Sequence, residues 1–134
     1  NFNNNNLTNL KQLDYMDHNK ISEIYSLSDI FICTSIIDNL PLTILEALSS
    51  GNVVFSYKNG GSEEVLKNIG YTFNINEKNK LITKLNNLST NEIKKKSKLS
   101  RLFANKNFDK KKISIQYRNI YKHINWYKIK NFLF

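Results

Sequence analysis

The chain has 134 residues, 40% of them hydrophobic, which is enough for one domain with its own core but not for two. No apolar run reaches the length that a bilayer requires, and the single cysteine, Cys33, excludes an internal disulfide and is typical of a reducing, cytoplasmic setting. The net charge of +9 is uneven: residues 1–75 carry four lysines against eight carboxylates, whereas residues 76–134 carry sixteen Lys or Arg against three.

The beginning of the chain is rich in asparagine. It does not start with Met, and residues 1–6 have neither the charged nor the apolar segment of a signal peptide. We therefore expect the sequence to begin inside a longer protein.

Residues 9–75 alternate between strand-like and helix-like segments. An alternating apolar run predicts a short strand at residues 10–15. Helical spacing predicts a helix over residues 19–27, with Asn19 available as its N-cap. A continuous apolar run over residues 29–34 predicts a strand that is buried on both faces.

The next helix has signals at both ends. Pro41 lies at the first turn and Gly51 directly after the last residue of a helix predicted over residues 41–50. Strands at residues 53–55 and 71–73 enclose a short helix at residues 62–67. This order predicts an α/β fold with parallel βαβ units, a partial Rossmann-like sheet with helices on both faces.

The remainder of the chain is helical in pattern. Amphipathic segments predict helices over residues 80–88, 92–104 and 113–129. The last of these has an apolar stripe made of Ile113, Tyr117, Ile120, Tyr121, Ile124 and Tyr127.

In open α/β sheets, ligands bind beyond the carboxyl ends of the strands, so the loop after residue 34 is the first candidate site. The helix that follows begins with the backbone amides of Leu42, Thr43 and Ile44, which we expect to be unpaired and therefore to favour an anionic phosphate. Glu46 lies in an apolar row of that helix and would suit the two hydroxyls of a ribose. A solvent-facing glutamate explains the same position.

Asp38 precedes this helix and is placed to reach a sugar hydroxyl. A helix-capping Asp-Asn pair also fits residues 38 and 39.

Four motifs occur in order along this stretch. They are SDIFICTS at residues 28–35, DNLP at 38–41, ILEALSSG at 44–51 and NGGSEEV at 59–65. Together they resemble the retaining GT-B glycosyltransferases of family 4, the group 1 glycosyltransferases, over residues 10–75 and loosely over the helical tail.

The resemblance implies roles for individual residues. Glu46 corresponds to the acid that holds the nucleotide ribose, and Asp38 to the acid that contacts the donor sugar and is tied to catalysis. Here the first acid is Asp where the family usually has Glu, and Thr34 stands where Pro is common. Further donor-binding positions follow from the same match: Asn39, Leu40, Leu42, Thr43, Gly60 and Gly61.

The resemblance also implies an activity and an organisation. It implies transfer of a hexose from a nucleotide-diphosphate sugar to a hydroxyl acceptor, a glycan or lipid-linked glycan, with retention and with no cofactor or metal. Residues 1–105 would be part of the donor-binding domain. Residues 106–134 would be a C-terminal helix that packs on an N-terminal domain outside this sequence, through aromatic residues such as Trp126, Tyr127 and Phe132. The chain alone would then be incomplete and inactive.

Several conspicuous residues also fit a purely structural role. Gly60 and Gly61 alone would more often form a turn than a site. His18 and His123 lack metal-ligand spacing, and Cys33 fits a core position.

Two rival functions also remain. One is an inactive nucleotide-sugar-binding protein. The other is a basic adaptor for nucleic acid or an anionic membrane through residues 92–130, although no base-reading motif accompanies these lysines and we expect no specific nucleic-acid binding.

Overall fold

A computed structural model describes residues 9–123 of the chain. The elements in order are α1 (His18–Leu27), β1 (Ile30–Cys33), α2 (Leu42–Ser50), β2 (Val53–Tyr57), α3 (Ser62–Leu66), β3 (Tyr71–Phe73), α4 (Lys78–Asn86), α5 (Thr90–Asn107) and α6 (Lys110–His123). The predicted α/β class is confirmed.

The three strands form a parallel sheet in the order β1-β2-β3. Ile32 pairs with Phe55 between β1 and β2, and Phe55 pairs with Tyr71 between β2 and β3. Because parallel strands need crossovers, α2 and α3 return the chain to the start of the next strand. All three strands therefore end at the same edge of the sheet.

The strand predicted at residues 29–34 is present, but it is not buried on both faces. Cys33 faces the core, whereas Ile32, on the opposite face, is 42% exposed. The difference arises because β1 lies at the edge of the described sheet, whereas the central strand β2 is buried over Val53, Val54 and Phe55.

Helix α2 forms as its end signals predict. Pro41 is the N-cap, and Gly51 ends the helix in the left-handed conformation with φ 89°. Ile44, Ala47 and Leu48 share one face and are fully buried. That face places α2 against β1, β2 and α5, and this packing fixes the end of the loop that precedes α2.

Two predictions near the start of the chain are wrong. Residues 10–15 form no strand, since no described neighbour pairs with them, and an unpaired strand has little stability. The N-cap of α1 is Asp17 rather than Asn19. Asp17 has extended backbone angles and its Oδ1 accepts from the Lys20 amide at 3.0 Å, whereas Asn19 already lies inside the helix.

The C-terminal helices occur where their pattern predicts them, with shifted ends. Helix α5 is capped by Ser89, whose hydroxyl accepts from the Glu92 amide at 3.2 Å. Helix α6 begins at Lys110, because the Asp109 carboxylate accepts from the Lys112 amide at 3.0 Å.

The stripe residues Tyr117, Ile120 and Tyr121 are more than half exposed on α6. Residues 124–129 of the predicted helix, and the aromatic positions 126, 127 and 132, lie outside the described residues. Within residues 9–123 no helix is both long and apolar enough to cross a membrane.

Candidate functional site

Two loops meet at the carboxyl edge of the sheet. The β1–α2 loop comprises residues 34–41 and the β2–α3 loop comprises residues 58–61. Because β1 and β2 are parallel neighbours, the loops that follow them lie side by side. Between them lies an open cleft of about 530 Å³, which is lined by Ile36, Ile37, Asp38, Asn39, Lys58, Asn59 and Gly60.

Asp38 is exposed to this cleft, and its orientation is fixed by its own loop. Its Oδ1 atom accepts a hydrogen bond from the Leu40 amide at 3.1 Å. Such a bond between a side chain and the backbone two residues later stabilises a tight turn. The Leu40 N–H, predicted to face the donor, is therefore engaged by Asp38 in this structure.

The two glycines bring the loops into direct backbone contact. Gly60 has φ 41°, and a Cβ atom there would lie 2.6 Å from the carbonyl oxygens of Asp38 and Asn39. The Gly61 amide donates to the Asn39 carbonyl oxygen. The structure thus brings together four of the predicted site residues, Asp38, Asn39, Gly60 and Gly61, through backbone contacts that a side chain at residue 60 would prevent.

Asn59 joins the same two loops; it begins the NGGSEEV motif but was not among the predicted site residues. Its side chain is almost completely buried, and its Nδ2 atom donates to the Ser35 carbonyl oxygen at 2.7 Å. Its backbone amide donates to the Ser62 hydroxyl at 3.1 Å. Two sequence signals could have identified this residue: its place at the start of the motif and a polar amide that closely follows a buried strand.

Lys58 is a second residue of the cleft that the patterns missed. Its Nζ atom lies 2.6 Å from the Glu63 carboxylate at the start of α3. The hydrogen bond to Glu63 and its negative charge raise the pKa of the Lys58 amine above its usual value. Lys58 therefore lines the same cleft as Asp38, with its positive charge paired to Glu63.

The N-terminus of α2 follows directly from the β1–α2 loop. Pro41 has no side chain that could cap the helix, and Leu42 and Thr43 are exposed. Their amides lie in the first turn and have no acceptor within the helix. The amide of Ile44 was expected to be unpaired, but this is wrong, because it donates to the Pro41 carbonyl oxygen at 3.0 Å.

Glu46 lies one turn further along α2 and outside the cleft of Asp38. It is half-buried and lines a separate cavity of about 220 Å³ with residues of α1 that include His18 and Tyr25. Burial and the neighbouring Glu46 carboxylate raise the pKa of the Tyr25 phenol. Glu46 thus has a tyrosine as a polar neighbour, and the two acids of the motif do not share one cavity.

The remaining candidate residues have simpler surroundings. Cys33 is buried in the hydrophobic core. Among residues 9–123, no three His, Cys, Asp or Glu side chains come together as a metal site would need.

Comparison with known proteins identifies one match. The family model described as glycosyl transferases group 1 matches residues 3–106, more than half of the chain. No curated protein and no solved structure matches the chain. The matched residues include both loops of the cleft and all of α2.

Proposed function

Because the chain belongs to the group 1 glycosyltransferases, we propose that it binds a nucleotide-diphosphate sugar at the carboxyl edge of the sheet. The reaction is transfer of a hexose, with retention at the anomeric carbon, to a hydroxyl acceptor such as a glycan or lipid-linked glycan. The observation that carries this proposal is the cleft in which Asp38, Asn39 and Gly60 meet beside the uncapped start of α2.

The start of α2 suits the diphosphate of the donor. The amides of Leu42 and Thr43 and the positive end of the helix dipole favour an anion. When the bond between the anomeric carbon and the diphosphate breaks, the leaving oxygen gains negative charge. The backbone donors stabilise that charge without reorganisation, because packing of α2 against β1 and β2 already holds the helix start in place. Lys58 lines the adjoining cleft and adds positive charge when it leaves Glu63.

The spacing along α2 separates the roles of the two acids. From Leu42 to Glu46 the helix rises about 6 Å, so Glu46 lies beyond the diphosphate on the nucleoside side. Its carboxylate accepts hydrogen bonds from the two ribose hydroxyls. Asp38 lies on the opposite side of the diphosphate, in the cleft that receives the sugar, and its carboxylate contacts a sugar hydroxyl near the reacting carbon.

Calorimetric titration tests these assignments with UDP, GDP and ADP and with UDP-glucose, GDP-mannose and ADP-glucose. For the diphosphate that binds, Glu46→Gln should weaken affinity about 10- to 150-fold, since a charged partner of two hydroxyls is lost. Asp38→Asn should leave the affinity for the free diphosphate nearly unchanged and, in the chain joined to its N-terminal domain, lower the rate of donor consumption.

Two controls make this test specific. Glu23→Gln removes an equal charge from the exposed surface of α1 and should change neither the affinity for the diphosphate nor the rate of donor consumption. Tyr25→Phe removes the phenol beside Glu46 and shows whether an effect at residue 46 depends on that partner. If Glu46→Gln binds the diphosphate as tightly as the unmodified chain, the ribose assignment is wrong.

The remaining parts of the proposal concern the wider protein. Residues 1–105 contribute donor binding, and residues 106–134 pack on an acceptor-binding N-terminal domain in a cytoplasmic enzyme. We expect no metal requirement, so addition of EDTA should leave donor consumption unchanged. The exposed lysines of α5 and α6 favour at most a peripheral contact with an anionic membrane and no sequence-selective binding of nucleic acid.

A further inference from the structure

Asn59 is buried in a place where most side chains are exposed. It follows β2 in a loop, between exposed Lys58 and exposed Gly60, yet only 5% of its surface is accessible. Burying an amide side chain is costly unless hydrogen bonds compensate for the lost water. The bond that Asn59 makes is therefore a specific feature of this loop.

That bond reaches across to the other loop. The Nδ2 atom donates to the Ser35 carbonyl oxygen at 2.7 Å, just after β1 ends. Asn59 is itself held from the other side, because its amide donates to the Ser62 hydroxyl, which donates to the Tyr57 carbonyl oxygen at 3.0 Å. The side chain thus connects the first residues of the β1–α2 loop to the rigid end of β2.

A second contact joins the loops four residues later. The Gly61 amide donates to the Asn39 carbonyl oxygen, and Gly60 packs against the backbone of residues 38 and 39. The segment that carries Asp38 is therefore attached to the β2–α3 loop at both of its ends. Between these attachments, the hydrogen bond from the Leu40 amide to Asp38 orients the carboxylate.

We infer that Asn59 is a positioning residue for donor-sugar binding. Although Asn59 lines the cleft, its Nδ2 atom is bound to the Ser35 carbonyl oxygen, so it acts on the sugar through the β1–α2 loop, which carries Asp38. The Oδ1 atom of Asn59 is buried and has no hydrogen-bond partner among the described residues, so the Nδ2 bond to Ser35 is the side-chain contact that holds this residue. The inference rests on the proposed function, in which Asp38 faces the sugar and Glu46 the nucleoside.

Asn59→Asp is the sharpest variant. It keeps the size of the side chain, replaces the donating nitrogen by an oxygen and sets that oxygen against the Ser35 carbonyl. Asn68→Asp is the matched control, because it makes the same charge change at an exposed position after α3. Asn59→Ser is the second variant, to be used if the aspartate variant does not fold.

The first measurement needs no ligand. Hydrogen exchange of the Leu40 amide, followed by NMR, reports whether the loop keeps the bond to Asp38. We expect exchange at Leu40 to become at least about fivefold faster in Asn59→Asp, with amides of the central strand β2 unchanged. Unchanged exchange at Leu40 in both residue-59 variants would overturn the inference, whatever the chain binds.

The second measurement compares two ligands that differ only in the sugar. Titration with UDP and UDP-glucose, or with whichever of the three pairs binds, should show about five- to tenfold weaker binding of the nucleotide sugar to Asn59→Asp. The affinity for the free diphosphate should stay within about twofold. A purely structural role would lower both affinities equally, and this result would also overturn the inference.

A double variant provides the last comparison. If Asn59 acts through Asp38, the double variant that carries both Asp38→Asn and Asn59→Asp should lose about as much nucleotide-sugar affinity as Asp38→Asn alone. If the losses of affinity in the two single variants add fully in the double variant, Asn59 does not act through Asp38. If the unmodified chain binds none of the six nucleotides, the proposed function fails for this chain, and exchange at Leu40 still decides whether Asn59 holds the loop.

Discussion

Strand β2 has a buried asparagine near each end, Asn52 before it and Asn59 after it. Both side chains donate through Nδ2 to backbone carbonyl oxygens of a segment distant in sequence. Asn52 donates to the Tyr25 carbonyl oxygen at 2.9 Å and to the Ser28 carbonyl oxygen. These two bonds join the end of α1 to the start of β2. Asn59 donates to Ser35 at the other end of the sheet.

The surroundings of the two asparagines differ. Asn52 is 0% exposed and follows the C-cap Gly51, where Arg101 closes the end of α2. Asn59 is followed by exposed Gly60 and lines an open cleft. The same hydrogen-bonding chemistry thus stabilises the core at the amino end of the sheet, and in our proposal positions a binding loop at the carboxyl end.

The largest effect on stability should come from Asn52→Ala. The substitution removes two hydrogen bonds and leaves a cavity: the Ser28 carbonyl oxygen loses Asn52 as its donor, and the Tyr25 carbonyl oxygen keeps only the Ser28 amide. We therefore expect the free energy of unfolding to fall by about 3 kcal/mol. Urea denaturation followed by circular dichroism measures this. The ratio of nucleotide-sugar to diphosphate affinity should not change. A loss below about 1 kcal/mol, the typical effect of an average substitution, would mean that Asn52 has no special role at the amino end.

Gly60→Ala tests the carboxyl end. The new methyl group would collide with two backbone carbonyl oxygens, and φ 41° disfavours a side chain, so we expect a loss of about 2 kcal/mol. The affinity for the nucleotide sugar should fall more than that for the free diphosphate. Thermal melting and titration measure the two effects. Gly51→Ala is the control: its methyl group would contact the end of the Arg101 side chain, far from the cleft, so only stability should change.

Arg101→Ala should have a smaller effect at the amino end. The guanidinium donates two hydrogen bonds to the Ser50 carbonyl oxygen, at 3.1 and 2.9 Å, and places positive charge at the C-terminus of α2. Because the contact is exposed, we expect a loss of about 1 kcal/mol in urea denaturation. Arg118→Ala, on the exposed surface of α6, should have almost none. Equal effects of the two substitutions would show that the Ser50 contact has no particular value.

The smallest effect should come from the carboxylate of Glu77, which follows β3 at the carboxyl edge. Hydrogen bonds from Lys80 and from the Asn74 amide lower the pKa of Glu77 from 4.5 to about 2. Since the folded value lies below the unfolded one, the stabilisation is fully present above pH 4.5 and is lost as the pH falls from 4.5 to 2. The stability difference between the unmodified chain and Glu77→Gln should shrink over that window.

An NMR titration of the Glu77 side chain measures the pKa directly. A midpoint near 4.5 would show that these exposed hydrogen bonds do not persist in solution.

Predictions from the sequence mostly succeeded where the signals are local, although the N-cap of α1 was predicted two residues too late. Helix α2 begins after Pro41 and ends at Gly51, as these turn residues predict. The continuous apolar runs at residues 29–34 and 53–55 form neighbouring strands. The order of strands and helices placed two loops at one edge of the sheet. The predicted site residues Asp38, Asn39, Gly60 and Gly61 meet there for that reason, and the first three line the cleft.

Predictions failed, or were never made, where partners are far apart in sequence. Asn59 and Ser35 are separated by 24 residues, and Arg101 and Ser50 by 51. Periodicity describes the face of one element and contains no information about which carbonyl of another element an amide will meet. The run at residues 10–15 alternates like a strand, but alternation alone does not supply a neighbour to pair with.

The parallel α/β class, the ends of α2 and the family of the chain all follow from the amino-acid sequence, because turn residues, apolar periods and ordered motifs are local properties. The contacts between distant groups follow from the packed fold instead. It puts Asp38 and Lys58 into one cleft, Glu46 into another beside Tyr25, and Asn59 between two loops. These contacts depend on strand register and helix packing, which bring distant residues together through the burial of apolar side chains.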